Sequence, residues 1–588
     1  MPDRSLETRI RTLMTSATSN VKTFRVVKEI NRPATMRDGT VLQADVYRPD
    51  SNARFPVLLC RTPYDKQEGM MVETARKLAE RGYGVVVQDV RGRYASGGEF
   101  LPGFYSADHC DAQDGYDCVE WAAALPWSTG KVGTIGNSYC GWTQWELAHT
   151  RPPHLVAMMP QGIAANLLDR ELSGVLRLGR ILWWTMNNLA VDTRRKTGDL
   201  TGPQTLEAAE RLWLERDRTK WLWFLPLAEI PDEVMPGIGR HFRKWLEDHT
   251  GDHFRFLEKH QHVNVPVLSV TGWYDQQIGG IRHFTGMVEN GMTEHARQNQ
   301  RLIVGPWTHT GTLWESRVGE VDFGPQACRD FFQTADRWFS YWLKGEKNDA
   351  LDGPPIELFV MGANRWRAES EWPLARTVYT DFYFHSDGGA NTPAGNGRLT
   401  TQPPHEEPPD EYDHDPRDPV MTLFTPPGQH EPQDQRALAD RRDILVFDSG
   451  PLEEPLEVTG PITVKLWAAS SAVDTDFVVK LLDVWPNGFA QELCHGIVRA
   501  RYRNGVDQPS LIKPGEIYEY SIRVNPTSNL FRAGHRIRVD VSSSDFPNFD
   551  RNHNTGGNDY FESTLVTARQ TIFHDHLRPS RVILPVIP

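Results

Sequence analysis

Three residues able to carry acyl transfer together each follow a separate apolar run: Ser138 after "KVGTIG", Asp275 after "VPVLSV" and His309 after "RLIV". A serine hydroxyl becomes a useful nucleophile only when a neutral imidazole can accept its proton. A carboxylate then fixes the imidazole tautomer and stabilises the imidazolium that develops. Around the serine the chain reads "GTIGNSYCGWTQ". A nucleophile elbow is usually written G-x-S-x-G, but here Cys140 holds the position of the second glycine and Gly141 comes one residue late. Gly136 supplies space upstream of the serine, Cys140 is small enough to be tolerated, and Gly141 lets the first helical turn pack closely. The variation is compatible with an elbow.

The elements that must position these residues are legible in the spacing. "FPVLLC" (55–60), "GVVVQD" (84–89) and "KVGTIG" (131–136) are strand-like runs of Val, Leu and Ile separated by amphipathic helical patterns. Such runs suit a largely parallel sheet covered on both faces. Ligands of open α/β sheets bind beyond the carboxyl ends of the strands, where Tyr64, Asp89, Arg91, Ser138, Asp275 and His309 fall. Serine, acid and histidine in this chain order match an α/β-hydrolase. Asp65, Asp89 and Asp111 compete as the acid, and His253, His260, His262 and His283 as the base. The acids precede the serine, and the histidines lie in a polar approach or a helix-like stretch. Either Asp275 or His309 alone could be an N-cap or a loop residue. Neither alternative explains why both follow strands downstream of the elbow.

The α/β alternation stops near Ala165, and a helical, tryptophan-rich block runs to about Phe256. Thr201, Pro203 and Gln204 are expected to start a capped helix there. Strand-like runs resume at 265–270 and 301–304. From about Pro355, short runs such as "IELFVMG" and "ITVKLWAAS" between Pro, Gly, Asn and Asp suggest an all-β sandwich. The expected division is an α/β-hydrolase core in residues 1–165 and 257–354, a helical cap in 166–256 and a β-sandwich in 355–588. "HEEPPDEYDHDPRDP" (405–419) reads as a solvated loop and not a metal site, for lack of fixed ligand spacing.

Several motifs carry a family resemblance: "RTPYDK", "QDVRGRYASGGEF", "GNSYCGWTQW", "TGWYDQQ", "GPWTH", "SAVDTDFVVKLLDVWPNG" and "SSSDFPNFDRNHNTGG". Together they resemble the serine hydrolases related to cocaine esterase, a group that includes X-Pro dipeptidyl peptidases and α-amino-acid ester hydrolases. The resemblance runs from about Val26 to the C-terminus and is weakest in the helical block. It implies an α/β-hydrolase core, a helical cap and a C-terminal jelly-roll, with Ser138, Asp275 and His309 as the triad. It also implies that the Tyr64 hydroxyl and the Tyr139 backbone N–H are the oxyanion donors. A phenol at a strand end is chemically suited to that task. Packing beside Pro63 is the other reading of Tyr64.

Related α-amino-acid ester hydrolases resemble one another in having carboxylates two and three positions after the triad aspartate, which bind a substrate ammonium. Gln277 and Ile278 stand there in this chain. "LDRE" (168–171) could replace the charge, offset by its own arginine. A neutral, bulky or aromatic acyl group is therefore expected, faced by Gln276 and Gln277 and enclosed by Trp183 and Trp184. Those two tryptophans could equally be helical core. An amidase or peptidase with the same triad, or a non-catalytic carbohydrate-binding protein, are the alternatives.

The net charge of −13 argues against nucleic-acid or anionic-membrane partners. Six cysteines without a CxxC pair suggest reduced thiols. The first twenty residues lack an apolar h-region, and no run reaches membrane-spanning length. A cytoplasmic enzyme acting on a small-molecule ester or amide is expected, with no metal or cofactor. A homo-oligomer is left open.

Overall fold

A computed structural model of the protein describes residues 23–166, 174–248, 255–423 and 430–588. The strands of its first sheet are β1 (Val26–Thr35), β2 (Val41–Pro49), β3 (Phe55–Thr62), β4 (Gly84–Asp89), β5 (Ser128–Asn137), β6 (Leu155–Gln161), β7 (Val267–Tyr274) and β8 (Gln300–Thr308). After a two-strand ribbon, β9 (Arg317–Val318) and β10 (Val321–Asp322), come β11 (Ile356–Val360) and β12 (Arg365–Glu369). The ten-stranded sheet runs β1-β2-β4-β3-β5-β6-β7-β8-β11-β12. Its pairings from β4 through β11 are parallel.

The sheet is apolar on both faces. Leu58, Val85 and Val87 join Leu78 and Phe339 in one buried cluster, while Val57, Leu59 and Val86 join Val119 and Trp145 in another. Successive residues of a strand point to opposite faces, so both sets must be covered. Fully burying each such side chain contributes about 1.5–3 kcal/mol. The helices Gly69–Glu80, Asp111–Ala123, Tyr139–Ala148 and Phe331–Phe339 provide the cover. Polar chemistry is thereby left to the strand ends.

Between β6 and β7 the chain is mostly helical, with Leu178–Trp183, a π-helical turn Trp184–Leu189, Ala190–Thr197, Leu206–Leu212 and Gly239–Glu247. The Leu206–Leu212 helix is capped by Thr205, whose side chain accepts from the Ala208 N–H. Thr201 was the expected start. It is instead held in a turn by Asp199, which accepts from both its N–H and its hydroxyl. "LDRE" (168–171) lies outside the described residues.

Two sequence expectations about the C-terminal part change. "IELFVMG" belongs to the first sheet, because β11 pairs in parallel with β8. Four of its five strand residues are buried, which suits that position. The charged stretch 405–419 is not a solvated loop throughout. Asp410–His414 is a strand paired with Ala568–Phe573, and Asp410, Tyr412 and His414 alternate inward. Two of its acids are held by histidines: Glu407 meets His385 and His574, and Asp410 meets His574.

The remaining strands form an eleven-stranded, almost wholly antiparallel sheet. Leu456–Ser470 pairs with Tyr518–Phe531 on one side and Arg581–Ile587 on the other, closing the strands into a barrel. The loop after Ser542 reaches back to the helical segment. Pro547 accepts from the Gly179 N–H at 2.7 Å, Leu176 accepts from Asp550 at 2.8 Å and Tyr560 accepts from Ala228 at 2.9 Å. Buried Arg499 ties this loop to the barrel through Asp476, Asp550 and Asp559. Three carboxylates around one guanidinium leave no unpaired cation, and removing it would strand buried charge. No helix among the described residues is long and apolar enough to cross a membrane.

Candidate active site

Ser138 stands between the end of β5 and the helix Tyr139–Ala148 with φ 60° and ψ −124°. A left-handed backbone costs a non-glycine residue about 1–3 kcal/mol, so the surroundings must hold it. The Ser138 N–H donates to Gln161 of β6 at 3.0 Å, and its carbonyl accepts from Gly141 and Trp142. Gly136, at φ 147°, would place a Cβ 2.5 Å from Cys140 Cβ. Gly141 would place one 2.8 Å from the Gln161 carbonyl. The late glycine therefore serves the approach of the helix to neighbouring β6, while Cys140 fits against Gly136.

Asp275 and His309 follow β7 and β8, which are paired neighbours. Asp275 Oδ1 lies 2.9 Å from His309 Nδ1 and accepts from the Gln277 N–H at 2.7 Å. With the acid ionised, Nδ1 carries the proton and Nε2 is left as a base. Burial lowers the His309 pKa, and the charge of Arg180 lowers it further against the opposing field of Asp275. Burial raises Asp275, but His309, its hydrogen bond and the Gln277 N–H outweigh this and hold it below its ordinary value. The Asn137 side chain donates to the His309 carbonyl at 3.0 Å, joining the strand end before Ser138 to the histidine loop.

Gly162, just past β6, completes this junction. A Cβ there would lie 2.4 Å from Asn137 Oδ1, 2.7 Å from Asp275 Oδ2 and 3.3 Å from His309 Nδ1, and its φ is 49°. Gly162→Ala is expected to displace the acid–histidine pair and lower kcat about 100-fold, as misplacement by about 1 Å can do. Steady-state kinetics on folded protein checks this. Unchanged kcat would show that the pair tolerates a methyl group there.

Tyr64 follows β3, the parallel neighbour of the strand that ends before Ser138, and its hydroxyl accepts from Trp184 Nε1 at 3.2 Å. Burial raises its pKa, so the phenol keeps its proton. The Tyr139 hydroxyl donates to Asp111 at 2.9 Å and accepts from the Gly103 N–H. Asp111 is steadied by Arg61. Burial raises the Asp111 pKa to about 6.

The other sequence candidates have separate partners. Asp89 binds Lys66 at 2.7 Å, and His283 binds His260 and the Ala164 carbonyl. Asp65 caps its own turn by accepting from the Gln67 N–H. Gln276 and Gln277 are buried beside Asp275. Gln276 also accepts from Arg180 at 3.4 Å. Trp183 packs partly buried against the same cluster as Trp184. Sequence reading passed over Gly162, Asn137 and Arg180. Gly162 alone had a signal, the apolar run "LVAMMPQ" before it.

Two groups of described residues could offer ligands to a metal, His430–Glu492–His495 and His553–Asp559–Glu562. Neither includes Ser138, Asp275 or His309. In the first, Lys480 already lies 3.3 Å from Glu492 and Arg177 3.4 Å from His495.

A strained serine at a strand–helix junction, whose neighbour Asn137 is bonded to the loop of a histidine–carboxylate pair, suits a serine hydrolase. Residues 38–311 match the family model described as X-Pro dipeptidyl-peptidase (S15 family). Residues 348–583 match that of the X-Pro dipeptidyl-peptidase C-terminal non-catalytic domain. Cocaine esterase of Rhodococcus sp. is 38% identical over 94% of this chain and 97% of its own length. The chain belongs to this family of serine hydrolases. The resemblance read from the motifs is thus borne out. An aminopeptidase from the marine sediment archaeon Thaumarchaeota archaeon is similar in structure, with TM-score 0.81 and 25% identity over 98% of both chains. An α-amino acid ester hydrolase superposes with TM-score 0.81 at 24% identity, over 97% of this chain and 98% of its own, which shows the shared fold. Within the family, the all-β C-terminal part of this chain corresponds to the domain described as non-catalytic.

Proposed function

We propose that the chain hydrolyses carboxylic esters of neutral, bulky or aromatic acyl groups through an acyl-enzyme on Ser138. The observation that carries this is Ser138 held at φ 60° next to Asn137, which donates to the His309 carbonyl, while His309 Nδ1 meets Asp275 at 2.9 Å. In this reading His309 Nε2 takes the serine proton and later returns it to the leaving alcohol. Asp275 keeps the imidazole in the required tautomer and stabilises its charged form. The Tyr64 hydroxyl and the Tyr139 N–H receive the negative charge that develops on the carbonyl oxygen. Water then attacks the acyl-enzyme by the same route.

The acyl preference rests on a cavity of about 290 Å³ whose wall includes Gln276, Arg180, Leu222, Trp223 and Phe546. Ser138 is not part of that wall; Gln276 and Arg180 connect the cavity to the Asp275–His309 pair. Aromatic and aliphatic side chains favour an apolar group. Arg218 stands in the wall and no carboxylate is among its described residues, which disfavours the ammonium that an aminopeptidase or α-amino-acid ester hydrolase must bind. That difference favours esters of uncharged acids over peptides here. We also read the helical segment within 166–256 as a cap and the closed barrel as a jelly-roll. The boundary between core and β-unit then moves from 355 to about 370, because β11 and β12 belong to the first sheet.

The test compares p-nitrophenyl phenylacetate with the p-nitrophenyl ester of phenylglycine, which adds an ammonium to the same acid. At least about a tenfold preference in kcat/KM for the neutral ester is expected, equivalent to about 1.4 kcal/mol of unfavourable charge. Preference for the phenylglycine ester would overturn the substrate reading while leaving the triad intact.

A further inference from the structure

We propose that Trp184 is a positioning residue for the oxyanion hole, its indole N–H fixing the direction in which the Tyr64 hydroxyl points. This rests on the reading of Tyr64 given above and adds the group that orients it. Trp184 opens the π-helical turn Trp184–Leu189, directly after the helix Leu178–Trp183. A π turn shifts the helical register and recurs at functional positions. Here it brings the indole Nε1 to 3.2 Å from Tyr64 Oη, across 120 residues of sequence.

The same indole stacks on the ring of Tyr139, the residue whose backbone N–H is the second proposed donor. Its ring lies at 22° to that of Tyr139, with centroids 6.2 Å apart. Phe104 and Tyr105 press on it at 5.3 Å and 6.0 Å, and Tyr105 is itself tied to Thr185, the next residue of the turn. Trp184 is only 7% exposed, so the indole has little freedom to turn away. One side chain thus contacts both residues that would receive the oxyanion charge.

The chemistry follows from the donor inventory. An indole N–H can only donate, whereas a phenol both donates and accepts. With Trp184 occupying an acceptor direction of Oη, the phenol proton cannot point there and must turn away from the indole; Ser138 follows β5, the strand paired with β3, which Tyr64 follows. A donor already aimed at the future oxyanion needs no reorientation when charge develops. Donation into Oη also polarises its O–H, strengthening it as a donor. An aromatic ring that merely walled the acyl pocket would need no N–H at this place.

The experiment is a double-mutant cycle on the full chain with a neutral aryl ester. Trp184→Phe removes the N–H, and benzothienylalanine at position 184 removes it while keeping the bicyclic shape. Stoichiometric fluorophosphonate titration counts competent active sites, so misfolded protein does not enter kcat. Each variant is expected to lose about tenfold in kcat, the scale of one hydrogen bond, with KM within about twofold. Tyr64→Phe should lose about 10²–10³-fold. In the Tyr64→Phe background the Trp184 substitutions should then do almost nothing, because the N–H has lost its acceptor. Additive losses, or an effect confined to KM that tracks acyl size, would overturn the role of Trp184 alone. Unchanged kcat in Tyr64→Phe would overturn it together with the reading of Tyr64.

Discussion

Ser138→Ala is expected to lower kcat about 10⁶-fold, the scale seen when a serine nucleophile is removed from an assembled triad. The substitution deletes one oxygen and leaves the backbone that positions it. Alanine is strained at φ 60°, as serine is, so the fold should change little. Circular dichroism and thermal unfolding would show that the protein is intact. The residual rate would come from the oxyanion donors and substrate binding. More than about 1% of wild-type kcat in such a protein would remove Ser138 from the role of nucleophile.

Asp275→Asn is the second large effect, about 10⁴-fold in kcat. The asparagine keeps the size of the acid but presents the wrong hydrogen-bonding partner to His309 Nδ1, so the base is held in the unproductive tautomer. A pH signature separates this from simple misfolding. Burial lowers the His309 pKa below 6.5 in the native enzyme even though Asp275 opposes it. Activity requires the neutral imidazole, so kcat/KM should fall as pH drops through that lowered value. Removing the carboxylate removes the opposing influence, and the acid limb should move to still lower pH. A profile recorded from about pH 4 to 9 tests the sign. An acid limb displaced upward in Asp275→Asn would contradict the pairing of these two residues.

Much of the site was legible because parallel sheets place their chemistry at strand ends. Reading the residue after each apolar run singles out Tyr64, Ser138, Asp275 and His309, and of these Asp275 and His309 meet at 2.9 Å. Chain order then selected the acid and base from several candidates. The site's spatial supports were much harder to read. Gly162 has no side chain to attract notice, and its meaning is the absence of a methyl group against Asp275 and His309. Trp184 reads equally as a pocket wall or as helical core, because tryptophan in a helical block usually means apolar burial. Its hydrogen bond to Tyr64 spans elements that no local pattern connects.

The fold shows the same division. Ile356–Val360 looks like a short strand of an all-β unit, since its length and composition fit either sheet. Its parallel partner β8 is a tertiary fact. The proline-rich, acidic surroundings of Asp410–His414 hid a strand whose alternation is carried by aspartate, tyrosine and histidine in place of aliphatic residues. Buried polar side chains with satisfied partners defeat a reading built on hydrophobicity.

The central claim, an acyl-enzyme on Ser138, is tested most directly by trapping it. The protein is mixed with a p-nitrophenyl ester, quenched in acid within the first turnover, digested and mapped by mass spectrometry. The mass of the acyl group should appear on the peptide containing Ser138, in amounts matching the p-nitrophenol burst, and be lost in Ser138→Ala. A burst of p-nitrophenol with the acyl group on another residue, or steady turnover in a protein that never acquires the adduct, would contradict the account.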